Sequence, residues 1–149
     1  MEFIIRKCCE SDLDRLVELC KNHADYEQAA YQAQGKKELL KEAIFSEHNR
    51  LNCFIIEVDQ SVAGYFTYTF DFSTWDARQF LYLDCLYLEP ACRSLGIGAK
   101  VFTELEKIAK ENKCVNIQWQ TPVFNERAIK FYHKIGGIGK DKVRFFLNT

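Results

Sequence analysis

FLYLDCLYLEPACRSLGIGAKVFTELEKIAKENK, residues 80–113, passes through three patterns in succession. Residues 80–88 are apolar apart from Asp84 and read as a strand. Arg93-Ser94-Leu95-Gly96-Ile97-Gly98 follows with the spacing R-x-x-G-x-G, a short loop that opens a helix. Val101, Phe102, Leu105, Ile108 and Ala109 then recur at helical spacing, with Lys100, Glu104, Glu106, Lys107 and Lys110 on the other face. Two glycines at such a junction let backbone approach a ligand with no Cβ in the way. The first N–H groups of the helix lack intrahelical acceptors and carry partial positive charge. Together these features make a seat for a phosphate or pyrophosphate.

The seat has the wrong context for the two commonest nucleotide loops. A P-loop needs G-x-x-x-x-G-K-[ST], and Lys100 stands at the wrong distance with no adjacent hydroxyl. A dinucleotide fold carries its glycines after the first strand, whereas here the loop follows the fourth. Upstream, Phe3–Lys7 reads as a strand, and Ser11, with Asp14, as the cap of a helix. That helix buries Leu13, Leu16, Val17 and Cys20 and fades near Asn22. From His23 to Gly35 the pattern weakens, leaving either a solvated segment or a loop whose Tyr26 and Glu27 line a cationic substrate pocket. A second helix spans 36–47. Residues 53–58, 62–72 and 79–88 are strands with short connections, an antiparallel meander in which Gly64 marks a bend or bulge. Downstream of residue 113, 114–120 is a strand parallel to 80–88, Asn125 caps a last helix ending at Gly136-Gly137, and 143–147 is a closing strand.

The 149 residues suit one α/β domain, 1–149. With 20 basic and 21 acidic side chains, the net charge of −1 offers no field for nucleic acid or an anionic membrane. No apolar run approaches the roughly 20 residues of a membrane span. Seven cysteines lack any C-x-x-C pair and three histidines lack ligand spacing, so no metal site and a reduced, cytoplasmic setting are expected. Cys92 has no His or Asp partner and reads as a packing thiol.

The element order, the R-x-x-G-x-G helix start and the closing stretch Asn125-Glu126-Arg127-Ala128-Ile129-Lys130-Phe131-Tyr132-His133-Lys134-Ile135-Gly136 together resemble the GNAT superfamily of acetyl-CoA N-acetyltransferases over essentially the whole chain. Within it, Asp25-Tyr26-Glu27, the stretch 70–75, Leu81-Tyr82-Leu83-Asp84 and the loop itself are most similar to the spermidine/spermine and thialysine acetyltransferases. The resemblance implies a mixed, mostly antiparallel sheet with helices on both faces and a splayed central parallel strand pair. It implies acetyl-CoA as acetyl donor, no metal, and direct transfer to the primary amine of a small molecule. Acetylation of a peptide amine and a non-catalytic acyl-CoA sensor are the alternatives.

By the same resemblance, Arg93, Ser94, Leu95, Gly96, Ile97, Gly98 and Ala99 hold pyrophosphate, and Leu86, Tyr87 and Leu88 run beside the pantetheine arm. Asn125 caps its helix or bonds the pantetheine amide. Tyr132 is the acid candidate, the alternative being a core aromatic. Asp84 is the base candidate, directly or through water; the alternative is a buried carboxylate bonded to a loop. Tyr26, Glu27, Trp75 and Asp84 form the acceptor's acidic, aromatic mouth, with Asp76 as its weakest member. A homodimer is the expected assembly, with the 143–147 strand contributing.

Overall fold

A computed structural model describes residues 1–149. The chain runs β1 (Phe3–Lys7), α1 (Leu13–Tyr26), α2 (Lys36–Phe45), β2 (Asn52–Val58), β3 (Ser61–Ser73), β4 (Arg78–Leu88), α3 (Ile97–Glu111), β5 (Ile117–Gln118) and α4 (Glu126–Lys134). The strands form one sheet in the order β1-β2-β3-β4-β5. All neighbours are antiparallel except β4 and β5, which are parallel. The two faces bury separate cores. On one, Leu13, Leu16 and Leu19 of α1 meet Ile55, Tyr65 and Tyr87, with Leu40 and Ile44 of α2 at the margin. On the other, Val101, Phe102, Leu105 and Ala109 of α3 pack on Ile56, Phe66, Leu81 and Leu83. Each fully buried leucine contributes about 1.5–3 kcal/mol. Helices therefore cover both faces, as expected.

One bulge decides what β4 can do. Thr67 pairs with Cys85 but Tyr68 pairs with Leu83, leaving Asp84 as the extra residue of β4. Side chains alternate along a strand, so an inserted residue exchanges the faces beyond it. Leu81 and Leu83 accordingly pack in the α3 core, whereas Cys85 and Tyr87 pack in the α1 core. Asp84 is exposed at the changeover, not buried as its apolar neighbours suggested. A second register shift lies between Ile56 and Glu57, opposite Gly64. A Cβ at Gly64 would meet the Tyr87 carbonyl oxygen at 2.5 Å, so the glycine allows β3 and β4 to close up.

Four local expectations are corrected. Ser11 does not cap α1; it lies in a single 3₁₀ turn, Glu10–Asp12, where the Asp12 carboxylate accepts from the Cys9 N–H at 2.8 Å. Helix α1 continues to Tyr26, because His23 occupies its buried face against Tyr65 and Tyr87. Strand β5 is two residues long, since β4 and β5 pair only at Leu81–Ile117 and Tyr82–Gln118 before diverging. Residues 143–147 form no strand, and Phe145 is 88% exposed.

The entrance to α1 is tied to the sheet by charge. Arg6 grips Asp12 with two N–H donors at 2.8 and 2.9 Å and Glu57 with Nε at 2.8 Å. The guanidinium holds the buried Asp12 carboxyl at about 2, below its ordinary 3.8. A depressed carboxyl adds stability above its ordinary range and loses it as pH falls through the lowered value, here worth about 2 kcal/mol at neutral pH. Asp12→Asn should cost about that much in urea denaturation at pH 7, and the gap to wild type should narrow steadily from pH 4 toward 2.

Candidate active site

Beyond Tyr82 the two parallel strands part, and a cleft of about 960 Å³ opens between the second half of β4 and the chain that follows β5. Leu86, Tyr87 and Leu88 line one wall, and Gln120, Thr121 and Pro122 the other. The end of α1 brings Tyr26 and Glu27, the loop before α3 brings Arg93, Ser94, Gly96, Gly98 and Ala99, and α4 brings Asn125 and Tyr132. Asp84 faces the same space from the bulge. The topology thus gathers most of the residues singled out from the sequence.

Four of them have their side chains elsewhere. Ile97 is buried in the α3 core, and Leu95 is exposed outside the cleft. Trp75 is 97% exposed at the tip of the β3–β4 hairpin. From Arg78 to Asp84 the strand advances about 20 Å, which puts the hairpin tip at the opposite end of β4 from the cleft. Asp76 is there too, accepting the Ser73 hydroxyl at 2.8 Å. The aromatic mouth read around Trp75 does not form within this chain. Cys92 packs in the α3 core, as a structural thiol should.

The loop conformation explains its glycines differently from the simple ligand-approach reading. Gly96 precedes α3 with φ 81°, in the left-handed region, and a Cβ there would meet nothing within 4 Å. Gly98 has ordinary helical backbone, but its Cβ would stand 2.9 Å from the Phe131 ring. One glycine sets the turn; the other lets α4 seat against the start of α3. By helix geometry the N–H groups of Ile97, Gly98 and Ala99 have no acceptor within α3. Arg127 adds a cation at this end, its Nη2 donating to Ser94 Oγ at 2.7 Å.

Arg93 is less free than its place in the motif implied. Its Nε donates to the Leu88 carbonyl at 2.8 Å, and its guanidinium lies over Tyr26 at 4.3 Å and Tyr87 at 5.5 Å. It braces the loop against β4 and α1. Asn125 is also committed: Oδ1 accepts from the Ala128 N–H at 3.4 Å and from the Tyr26 hydroxyl at 3.2 Å, while Nδ2 donates to Thr121 at 3.2 Å. The cap is real, and the Tyr26 bond ties α1 to α4 across the cleft.

Charge divides the cleft into two ends. Arg127, Lys130 and Lys134 line it from α4, together with Arg144, and Glu27 and Asp84 line it from α1 and β4, while Arg93 lies between the two over Tyr26. Tyr132 lies among Phe102, Trp119 and Phe131, close enough to Glu27 to feel its charge. Burial first, then Glu27 and Tyr26, push its phenol up to about 12. It is a protonated donor throughout the neutral range. No group of three or more His, Cys, Asp or Glu side chains is placed to hold a metal ion, and no helix is long and apolar enough to cross a membrane.

Residues 14–137 match the acetyltransferase (GNAT) family. The chain belongs to that family. Thialysine N-epsilon-acetyltransferase of Bos taurus is 29% identical over 145 residues, covering 91% of this chain and 85% of that protein. The spermidine/spermine N(1)-acetyltransferase-like protein 1 of Homo sapiens is 27% identical over 101 residues, 63% of this chain and 14% of that protein. Among solved structures, an integron cassette protein from the mobile metagenome of V. cholerae superposes with a TM-score of 0.78 at 26% identity, covering 99% of this chain and 94% of that one.

The cleft of this GNAT acetyltransferase is also lined by residues that the sequence did not single out, His23 and Tyr82. His23 lies in the wall with Nε2 2.6 Å from Glu27, and Tyr82 accepts from Gln120 where the strands part. The signal for His23 was present. It stands seven residues after Leu16 and three after Cys20, on the continuing stripe of α1, although its polarity makes the stripe look finished at Asn22.

Proposed function

We propose that the chain transfers an acetyl group from acetyl-CoA directly to the primary amine of a small molecule: a polyamine, a lysine analogue or a related amine. The division of one cleft into a cationic end and an acidic end carries this reading. The unpaired N–H groups of Ile97–Ala99, with Arg127 beside Ser94, suit a pyrophosphate. The β4 backbone past Tyr82, paired with β3 but free on its β5 side, suits an extended pantetheine arm pairing like an added strand. Arg93 already occupies the Leu88 carbonyl, so Leu86 is the better pairing position. Acetyl-CoA supplies the activated thioester.

The remaining work falls to the acidic end. Glu27 and Asp84 attract the ammonium and offer acceptors for the proton it must lose, since an alkylammonium titrates near 10.4. Exposed at its bulge, Asp84 is reached by water, which favours the water-mediated form of its role. Tyr132 donates to the sulfur as negative charge develops there. Dimerisation remains part of the proposal. The Tyr26–Asn125 bond spans the cleft and favours a compact acceptor over a peptide laid through a groove.

Thiol release from acetyl-CoA against thialysine, lysine, spermidine, putrescine and an N-terminal peptide tests this reading. Turnover of at least one small amine should exceed that of the peptide tenfold or more. A faster peptide would transfer the assignment to protein amines. Tight acetyl-CoA binding by calorimetry with no amine acetylated would make the chain a sensor.

A further inference from the structure

His23 is a buried titratable side chain in the cleft wall that the reaction above does not use. Its side chain is 14% exposed, with Nε2 at 2.6 Å from Glu27 Oε2 and Nδ1 at 2.9 Å from the Tyr65 hydroxyl. Its ring stacks on Tyr87 with centroids 5.4 Å apart and planes 26° apart. Three elements therefore fix one imidazole: α1 through Glu27, β3 through Tyr65, β4 through Tyr87.

The partners select a protonation state. A carboxylate only accepts, so Nε2 must carry the hydrogen that faces Glu27. Nδ1 of the neutral ring is then a lone pair, and the Tyr65 hydroxyl is a donor aimed at it. One neutral tautomer satisfies all three groups. The charges around the ring are opposed. Burial disfavours the imidazolium, Glu27 and Asp84 favour it, and Arg93 opposes it; the balance lowers the ring's affinity for a proton.

We propose that His23 is a positioning residue: neutral, it pins one oxygen of Glu27 and leaves the carboxylate's charge for the acceptor's ammonium, and protonated, it cancels that charge and releases the amine. The inference rests on the reading that the acidic end of the cleft takes an amine. Glu27 lines the cleft with no Lys or Arg bonded to it, while Arg93 lies beside it over Tyr26. Protonation of His23 turns the pair into an internal ion pair, so capture of a cationic acceptor weakens as pH falls. Asp84 bonds to no cation but also feels the imidazole's charge, so it adds to the same dependence.

Long-range ¹⁵N correlation of the wild-type imidazoles at pH 8 tests the geometry without turnover. With three histidines in the chain, the His23 signal is assigned by its loss in His23→Gln. The Nε2–H tautomer is expected; an Nδ1–H tautomer or an imidazolium overturns the proposal. Kinetics then use whichever of thialysine and spermidine wild type acetylates faster. His23→Leu should raise the amine KM about tenfold at pH 8 with kcat within threefold, and His23→Gln, which keeps an N–H toward Glu27, about threefold. As pH falls from 8 toward 5 the wild-type amine KM should rise more steeply than that of either variant, a ratio that removes the amine's own ionisation. Parallel pH profiles, or a KM for acetyl-CoA that moves with the amine KM, overturn it. Failure of wild type to acetylate any amine sinks the functional reading itself and this inference with it, whereas activity with unmoved variants sinks the inference alone.

Discussion

Tyr132→Phe is expected to lower kcat about 10²-fold while leaving acetyl-CoA affinity within about twofold, a general-acid deletion at the lower end of the usual range. The substitution removes one oxygen and keeps the ring. That ring holds its place by packing with Trp119 at 5.4 Å, Phe131 at 5.5 Å and Phe102 at 5.9 Å, none of which involves the hydroxyl. The hydroxyl's chemistry follows from its raised value of about 12. A thiol titrates near 8.5, so full transfer to a departing thiolate is uphill by about 5 kcal/mol in the free protein. Tyr132 therefore acts by hydrogen bonding to sulfur as charge builds, and no alkaline limb in the pH–rate profile up to about pH 10 should come from it. Single-turnover kinetics and acetyl-CoA calorimetry on the variant check this. Unaltered turnover removes the role, and a tenfold loss of acetyl-CoA affinity makes the residue a packing element instead.

Gly98→Ala should weaken acetyl-CoA binding about tenfold and lower turnover with it. The added methyl meets Phe131 Cζ at 2.9 Å and Cε1 at 3.2 Å, so the ring must retreat. Phe131 packs against both Phe102 and Tyr132, so its retreat shifts α4 against the first turn of α3. Overpacking of this kind costs about 1–3 kcal/mol. It moves Arg127 and the helix N–H groups apart, and tenfold in affinity corresponds to about 1.4 kcal/mol. Gly96→Ala provides the contrast. Its methyl has open space, and the penalty is the left-handed backbone, about 1–2 kcal/mol. Calorimetry should show loss of affinity in both variants, with turnover of bound acetyl-CoA reduced only in Gly98→Ala. Equal behaviour of the two would mean that α4 is not moved through Phe131.

The meander and the α3 loop were legible because their cues are local. Residues 53–58, 62–72 and 79–88 are rich in β-branched and aromatic side chains, and the glycine spacing at 96 and 98 lies at a visible change of period. What escaped depended on partners. The bulge at Asp84 exists only relative to Thr67 and Tyr68 across the ladder, so the strand looked continuous and its carboxylate looked buried. His23 is polar in isolation and buried once Tyr65 and Tyr87 close over it. Residues 114–120 carry strand propensity that the divergence of β4 prevents from being used. Trp75 followed from likeness along the chain alone, while the length of the hairpin set its true distance from Glu27. Residues 143–147 show the same limit, having the composition of a strand but no pairing with the sheet.

The short pairing of β4 with β5 also bears on solubility. Bare strand edges invite other chains to add to them, and proteins cover, charge or shorten such edges to prevent it. From Leu83 to Leu88 this chain keeps one in the middle of its sheet, yet sets it at the bottom of a slot between the end of α1 and the start of α4. Tyr26 reaches across to Asn125 at the top of that slot. A slender, flexible arm can thread beneath the tie and find the backbone. A neighbouring polypeptide strand would have to pass the same tie with side chains on both faces, so the edge suits a small ligand better than another chain.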